Sequence, residues 1–579
     1  MEHRPVVIPA RTRSDRIRDA ALAIVVALLL SACWGINDWA QVGRLNLPDN
    51  DDMMRLAQVR DLLAGQAWND WAQYRLGPLG GAPMHWSRIG DIGPAVLMWA
   101  FGPLAMILAY PALLFAGYLY LSARLGRAVA GPQAALVAVI LAAIAYPANS
   151  LFLPGRIDHH GLQIVLIMGA ALALIRSPDA RGGAIVGIAS AISFGIGLET
   201  APHVAAIMAV VFARWVWRGE RGLPAGFAIG LCATTVLLLA AARPSYWSSQ
   251  WCDSFTPASS SAALAAAALF GAFSAASGFA WRKRLALGMV LGAVTLSAVL
   301  ASYPVCVTGP YGPMDPLVRH AFIDNVLEAQ GVFSGRLLGI GMPSGGLMLV
   351  ASLVAVWFAW RRPARAVAVA PLIALLAISD LVILAQVRGA YIGSAVTAPL
   401  LAALVLAARN AGRWRVPALV AAWSVSAGML WLIVPGRIEA ALQPAAPAGF
   451  AATAGCRAGD VWQQLDRAAP GTVMAPMGMA GYVIGGTHHR SVGAGYHRNN
   501  VGNRALYDFF LAPPDRAHAI AARWRVDYVA ICPTDFAELD IGTAHRDSLA
   551  AGLVVDRAPA WLTRIPLRDT GLRFYRLNR

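Results

Sequence analysis

Apolar and polar positions alternate along this chain in long blocks. Apolar runs of about 17 to 30 residues recur at 20–36, 93–122, 129–148, 161–177, 183–198, 201–217, 224–242, 260–280, 284–303, 345–361, 366–386, 390–409 and 416–434. That is the length a helix needs to cross a hydrocarbon core. The second run holds Pro103 and Pro111 and is expected to be tilted or broken at one of them. Two longer polar stretches, 37–92 and 304–344, interrupt the series. Within the first, DDMMRLAQVRDLLAGQAW reads as a short amphipathic helix lying at the surface, followed by the Gly/Pro-rich loop GGAPMHWSRIGD. Beyond 434 no such run occurs. GTVMAP, GYVIGG, DYVAICP and GLVVD read there as short strands between helical stretches, in a segment long enough for its own core.

The expected fold is an α-helical polytopic membrane protein of thirteen spans with a C-terminal α/β domain. Residues 1–19 form an N-terminal segment, 20–434 the membrane domain with outer loops 37–92 and 304–344, and 435–579 a soluble domain.

Composition agrees: of 579 residues 58% are hydrophobic and 13% charged, against roughly 25% charged in soluble domains. The net charge of +16 does not point to nucleic acid, because the arginines lie in short turns. ARLGRA, RSPDARGG, RWVWRGERG, WRKR, RRPAR and RNAGRWR all fall on one side when thirteen spans are counted, together with Arg4, Arg11, Arg13, Arg16 and Arg18. This is the positive-inside pattern, and it places the C-terminal segment outside. The first run ends without a small-residue cleavage site, so it reads as an uncleaved span. Cys33 and Cys232 fall in spans. Cys252 and Cys306, and Cys456 and Cys532, fall on the outer side, where each pair is able to form a disulfide or to remain as free thiols.

Two polar knots then stand out on the outer side. The first, PDNDDMMRLAQVRDLL, carries Asp49, Asp51 and Asp52; the second, GRIDHHG, carries Asp158, His159 and His160. Carboxylates are hard oxygen ligands suited to magnesium or manganese, and the same acids would also cap a helix N-terminus. Two adjacent imidazoles cannot point the same way, so at most one joins Asp158 in a metal site. Glu199 and His203 lie one helical turn apart at the start of the sixth span, either as lining of a site or as an interfacial pair. Asp324 and Glu328 lie four apart in the second outer loop, as on an exposed amphipathic helix. Arg388 stands alone at the outer end of the eleventh span, where holding an anion or snorkelling to headgroups would account for it.

These motifs resemble those of the oligosaccharyltransferase catalytic subunits, most of all the single-subunit bacterial and archaeal forms, within the GT-C glycosyltransferase superfamily. That family has Asp-Pro-Tyr-Tyr-His-Leu-Arg in its first outer loop, and Asp51-Asp52-Met53-Met54-Arg55-Leu56-Ala57 occupies that place. Its second motif is Asp-x-Asp, Asp-x-Glu or Asp-x-His, which Asp158-His159-His160 fits. Asn325-Val326-Leu327-Glu328 with Gln330 matches its Ser-Val-Ser-Glu-like motif, and Gln386-Val387-Arg388 its Gln-x-Arg-Phe without the Phe.

The resemblance implies a metal-dependent inverting transferase. It would move a glycan from a polyprenyl phosphate or pyrophosphate to a protein, with Mn2+ or Mg2+ as cofactor. Asp51 would bind metal and contact the acceptor, Asp158 and His160 would complete the metal site, Glu328 would act beside them, and Arg388 would hold the donor phosphate. Asp52 and Asp49 are the reserves should the register be off. The location implied is a bacterial inner membrane with the C-terminal domain periplasmic.

One departure concerns the family's sequon-reading Trp-Trp-Asp. The matching stretch, MAPMGMAGYVIGG, has neither Trp nor Asp, and GAGYHRNN follows it with Tyr496, His497 and Arg498 as polar candidates. A transferase adding a lipid-linked sugar to lipopolysaccharide or another cell-surface glycan or lipid is therefore the alternative. A transporter is a further one, although no internal repeat is present. Neither a P-loop nor a dinucleotide fingerprint occurs, which favours a lipid-linked donor over a nucleotide sugar.

Overall fold

A computed structural model of the chain describes residues 13–249, 251–309, 311, 314–334, 337–442, 455–457 and 459–578. Arg4 and Arg11 lie outside the described residues. The principal helices are α1 (Arg13–Asn37), α2 (Asn50–Leu63), α3 (Ile92–Ala130), α4 (Ala134–Ala143), α5 (His160–Arg176), α6 (Ala180–Ile196), α7 (Ala201–Arg218), α8 (Gly222–Ala241), α9 (Pro257–Ala275), α10 (Trp281–Ser302), α11 (Met342–Arg361), α12 (Ala370–Ala385), α13 (Ala390–Arg409), α14 (Arg415–Ser426) and α15 (Gly428–Leu442). Twelve of the thirteen expected spans each coincide with one of them, and the last, 416–434, falls across α14 and α15. Among the described residues, eight helical segments are long and apolar enough to cross a membrane, nine if the bent pair ending in α15 is one span, while α4, α5, α6 and α12 are shorter apolar helices.

Three details differ from the hydropathy reading. The long second helix breaks at Gly102 (φ 82°, ψ 170°) and stays helical through Pro111. The residue before a proline is pushed out of the α region, and Gly102 takes a conformation open to glycine. The third run yields only ten helical residues, followed by the 3-10 turn Ala148–Phe152. The last run is not straight: it bends by 76° at Ala427. There Gly428 lies against the chain leaving α4, where a Cβ would come 2.6 Å from the Tyr146 nitrogen.

The C-terminal residues form a five-stranded mixed sheet. Its strands are β1 (Thr472–Met474), β2 (Arg490–Ser491), β3 (Tyr528–Ile531), β4 (Leu562–Ile565) and β5 (Arg573–Leu577), in the order β2-β1-β3-β5-β4. β1 runs parallel to β2 and β3, and β5 antiparallel to β3 and β4. GTVMAP and DYVAICP supply β1 and β3 as read. GYVIGG does not form a strand; it belongs to helix α16 (Met477–Gly486). GLVVD likewise begins within the helical turn Leu549–Leu553.

The glycines explain the first of these. Gly481 and Gly485 lie one turn apart, and a Cβ on either would collide with the backbone carbonyls of Asn50 or Met53 on α2. α16 therefore lies directly on α2. This overturns the surface placement of α2: residues Asp52 to Val59 are all buried. Met53 and Leu56 share one apolar core with Val483, Cys532 and Phe574, so the C-terminal domain is packed onto the first outer loop. Both outer cysteine pairs are disulfides, Cys252–Cys306 and Cys456–Cys532, with Cα atoms 5.3 and 6.1 Å apart.

Candidate active site

The site begins at the N-terminus of α2. Asp49 caps it, accepting from the Asp51 N–H at 3.1 Å, so Asp51 and Asp52 stand in the first turn, where free N–H groups favour carboxylates. The two acids face opposite ways. Asp52 turns inward and accepts from the backbone N–H groups of Ile157 and Asp158, both at 2.9 Å. Arg156 bridges Asp49 at 2.9 Å and Asp52 at 3.1 Å. Asp52 thus clamps the two polar knots together; it does not line the cavity and is not placed to act on a substrate, contrary to its reserve assignment as a catalytic acid. Asp51 does line the cavity, and the Tyr496 hydroxyl donates to it at 3.0 Å.

The second knot closes on the first. Asp158 lies 2.6 Å from His159 Nδ1, 3.3 Å from His160 Nε2 and 3.4 Å from Arg55. Ligand atoms of Asp158, His159 and His160 all fall within 4.8 Å of one another. His159 Nε2 lies 3.4 Å from Glu199. Burial would push the His159 imidazole down, but Asp158 and Glu199 on either side raise it to about 10. His159 thus lies between two carboxylates, and both imidazoles, not one as expected, turn a ring nitrogen to Asp158. Burial likewise works against ionising Asp158, yet His159, His160 and Arg55 hold its carboxyl well below the usual range.

The second outer loop and the start of α13 complete the wall. Arg388 donates to Glu328 at 2.9 Å and the Tyr391 hydroxyl donates to the same carboxylate at 3.0 Å. Residues 324–328 do not form the expected amphipathic helix; two separate 3-10 turns, Ile323–Asn325 and Leu327–Ala329, turn Glu328 inward, while Asp324 faces His320 at 3.5 Å. Glu199 and His203 part company. Glu199 serves His159, whereas His203 bonds Ser379 at 3.0 Å.

All of this surrounds one cavity of about 870 Å³, whose lining includes Asp49, Asp51, Asp158, His159, His160, Glu199, His203, Glu328, Arg388, Tyr496 and His497. Arg498 is absent from that lining. It is clamped to Asp253 at 2.5 and 3.2 Å and lies 4.0 Å over the Trp251 ring, tying the C-terminal domain to the loop after α8. His497 bonds the same Asp253.

Whether this wall suits a divalent cation is tested by Asp51. Asp49 and Asp52 face Arg156, Asp158 faces Arg55 and His159, and Glu328 faces Arg388. Asp51 has only the neutral Tyr496 hydroxyl and makes no ion pair among the described residues. Burial, then repulsion by Asp49, Asp158 and Glu328, pushes its carboxyl well above the usual range. A carboxylate pressed by three others, on the same cavity wall as Asp158 and His160, adds a hard oxygen donor to residue types that fit a hard or borderline divalent ion; the ligand atoms that lie within 4.8 Å of one another are those of Asp158, His159 and His160, without Asp51.

Sequence reasoning passed over several of these groups. Arg156 sits inside GRIDHHG and Arg55 four residues after Asp51, so proximity to the acids was the available signal. Asp253, Tyr311, Tyr391 and Trp86 also line or buttress the cavity, and only the neighbouring Cys252 marked Asp253.

No protein-family profile matches the chain, and no curated protein matches it. Solved structures do. The oligosaccharyltransferase AglB from Archaeoglobus fulgidus, in complex with an inhibitory peptide and a dolichol-phosphate, superposes with a TM-score of 0.62 at 14% identity, covering 90% of this chain and 69% of that one. The Archaeoglobus fulgidus enzyme tethered to an acceptor peptide containing the NVT sequon gives 0.62 at 14%, covering 98% and 74%. Its complex with Zn and sulfate gives 0.59 at 14%, covering 89% and 68%. The chain therefore has the polytopic membrane fold with a C-terminal domain that those oligosaccharyltransferases have.

Proposed function

We propose that this chain is a metal-dependent inverting glycosyltransferase of the oligosaccharyltransferase kind, transferring a glycan from a polyprenyl phosphate or pyrophosphate to an acceptor on the outer face of a bacterial inner membrane. The observation that carries the reading is the convergence of Asp51, Asp158, His160, Glu328 and Arg388 on one cavity from four separated stretches of sequence. The shared fold supports it, as do the archaeal enzyme's complexes with dolichol-phosphate and with a sequon peptide. The two disulfides support an oxidising compartment on the cavity side, and the arginine-rich turns support a cytoplasmic opposite face. In this reading residues 1–19 are cytoplasmic, the membrane domain runs from 20 to about 434, and the periplasmic domain follows.

Asp51, Asp158 and His160 would hold the cation, Mn2+ or Mg2+ by donor type; Zn2+ is the ion in the archaeal complex. Bound there, such an ion supplies charge neutralisation for the departing phosphate. Arg388 presents a planar guanidinium to the same phosphate and can bind it bidentately. Asp51 orients the acceptor and takes its proton, with its carboxylate aimed by the Tyr496 hydroxyl. Glu328 approaches from the second outer loop, held by Tyr391. Asp52, Arg156 and Arg55 are positioning residues. A single displacement at the anomeric carbon inverts it.

A second reading concerns the acceptor. The stretch 474–486, where the family reads its sequon, is β1 running into α16, and α16 is pressed onto α2. A glycan or lipid acceptor, as in modification of a cell-surface polymer, is consistent with that. The test is transfer by purified protein supplied with native lipid extract, offered either a sequon peptide or cell-envelope acceptors. Transfer that requires Mn2+ or Mg2+, is abolished by chelation and is lost in both Asp51→Ala and Asp158→Ala supports the site, and the labelled product names the acceptor. Transfer that survives both substitutions overturns it.

A further inference from the structure

A second cavity, of about 700 Å³, lies at the other end of the helical domain. It opens between the turn joining α3 to α4 and the C-terminal ends of α11 and α13. α13 starts beside Arg388 and ends at this cavity, and its twenty residues span about 30 Å, roughly the hydrocarbon thickness. The two cavities therefore belong to opposite faces of the membrane.

The walls of this cavity are amphipathic. Phe358, Ala403, Leu406 and Ala407 line one part of it; Arg361, Arg362, Gln133 and Asn410 supply the polar part. The three contributing segments, 124–137, 357–370 and 403–416, contain eight arginines and no acidic residue. Arg127 is neutralised by Asp19 at 2.6 Å, but Arg361 and Arg362 make no ion pair among the described residues. Arg361 lies 4.9 Å over the ring of Trp360 instead. Trp360 and Trp414 are 75% and 63% exposed at this level, as indoles are at a headgroup boundary.

We propose that this cavity is a binding site for an anionic phospholipid of the arginine-rich leaflet, with its phosphate on Arg361 and Arg362 and its acyl start along Phe358 and Leu406. The positive-inside bias alone explains arginines at helix ends. It does not explain a cavity with an apolar wall beneath two of them. A free phosphate would be served by the same guanidiniums but has no use for the apolar wall, so the lipid is the ligand the whole cavity fits.

The experiment uses the full-length protein in a neutral detergent with 0.5 M salt. At that ionic strength the Debye length is about 4 Å, and diffuse surface charge contributes little. Phosphatidylglycerol or phosphatidylcholine is titrated in as mixed micelles, and native mass spectrometry reads the number bound and the affinity. One retained phosphatidylglycerol is expected, with phosphatidylcholine binding much more weakly.

Arg361→Ala with Arg362→Ala removes direct charged hydrogen bonds to the phosphate and should weaken binding by at least roughly tenfold. Arg413→Ala with Arg415→Ala, which removes as much charge outside the cavity, should weaken it less than about threefold. Leu406→Trp keeps every charge and fills the apolar wall, and should lose binding about tenfold. Each variant is first shown to melt like wild type without lipid. Equal losses in the two arginine pairs, unchanged binding in Leu406→Trp, equal binding of phosphatidylcholine, or displacement by millimolar inorganic phosphate would each overturn the proposal.

Discussion

Gly155 is where the two polar knots touch, and replacing it should separate them. It has φ +86°, and a Cβ there would come 2.8 Å from Pro48 Cδ and 3.3 Å from a Leu47 methyl. Its own N–H donates to the Ile107 carbonyl at 2.8 Å, fixing the second knot to α3. Alanine would meet two obstacles: the left-handed backbone costs roughly 1–2 kcal/mol for a residue with a Cβ, and pushing Pro48 back to ordinary contact requires a shift of about 0.6 Å, for which overpacking costs roughly 1–3 kcal/mol.

Pro48 precedes the cap of α2, and Asp158 follows Gly155 by three residues, so the shift falls between Asp51 and Asp158. Misplacement by about 1 Å is enough to lose roughly a hundredfold in rate, and a loss in the tens is expected here. The control is Gly131→Ala. Gly131 also has a glycine conformation (φ 91°, ψ −175°) but no atom within reach of a Cβ, and it sits at the arginine-rich end. Melting temperature, Mn2+ affinity and transfer rate are measured for both. Both should lose stability, but only Gly155→Ala should lose Mn2+ affinity and rate. If Gly155→Ala keeps wild-type Mn2+ affinity, or if Gly131→Ala loses it equally, the contact between the knots does not set the site.

Three further predictions separate structure from chemistry. Asp52→Ala leaves two buried N–H groups and the Arg156 guanidinium without their shared acceptor, and should cost roughly 3–5 kcal/mol of stability; Asp51→Ala should melt within about a degree or two of wild type and yet show no transfer. Arg388→Ala removes the charge expected to meet the donor phosphate and should raise the donor KM roughly 10- to 150-fold, read by titrating lipid-linked donor, while acceptor KM stays put. Burial would raise the Asp253 carboxyl, but Arg498 and His497 together hold it below its ordinary value, so its contribution to stability is present above about pH 4 and is lost as pH falls through the lowered value. An acid melt should show that loss in wild type and not in Asp253→Asn, and Arg498→Ala should destabilise by roughly 3–5 kcal/mol at neutral pH.

The membrane helices were legible because burial in lipid demands long apolar runs, while the sides of the turns rest on the positive-inside pattern alone. The residues of the candidate site were legible one motif at a time. Asp51, Asp158, His160, Glu328 and Arg388 each stood out by type and order, but nothing local shows that Asp52, beside Asp51, turns the opposite way to hold the Asp158 backbone. That depends on the chain at Gly155 passing within contact of Pro48, a tertiary fact. GYVIGG was misread for a similar reason. Its β-branched residues suit a strand, whereas the four-residue spacing of Gly481 and Gly485 suits a helix laid closely on another, and only the partner α2 decides between them. Arg498 shows the limit from the other side: a cation next to the site residues Tyr496 and His497 is committed to Asp253, almost 250 positions earlier in the chain.

The concentration of buried charge around Asp51 is not a device for stability. Paired ions withdrawn from water return little more than an apolar replacement would, and here Arg55, Asp52 and Asp158 are buried and Arg156 nearly so. What the network does achieve is direction. Arg55, fixed by Asp91 at 2.5 Å and lying 4.7 Å over the Trp86 ring, holds Asp158 from below, and Arg156 holds the cap of α2. The C-terminal domain, through α16 and Tyr496, closes the top of α2 and aims Asp51. Asp49 and Asp52 thereby share Arg156, Asp91 and Asp158 share Arg55, and Glu328 has Arg388. Asp51 is left without, on the cavity that the acidic knot, the Asp-His-His knot, the Glu328 loop and the Arg388 turn line together. In the metal-dependent reading, this uncompensated acid is where a cation from outside would balance the wall.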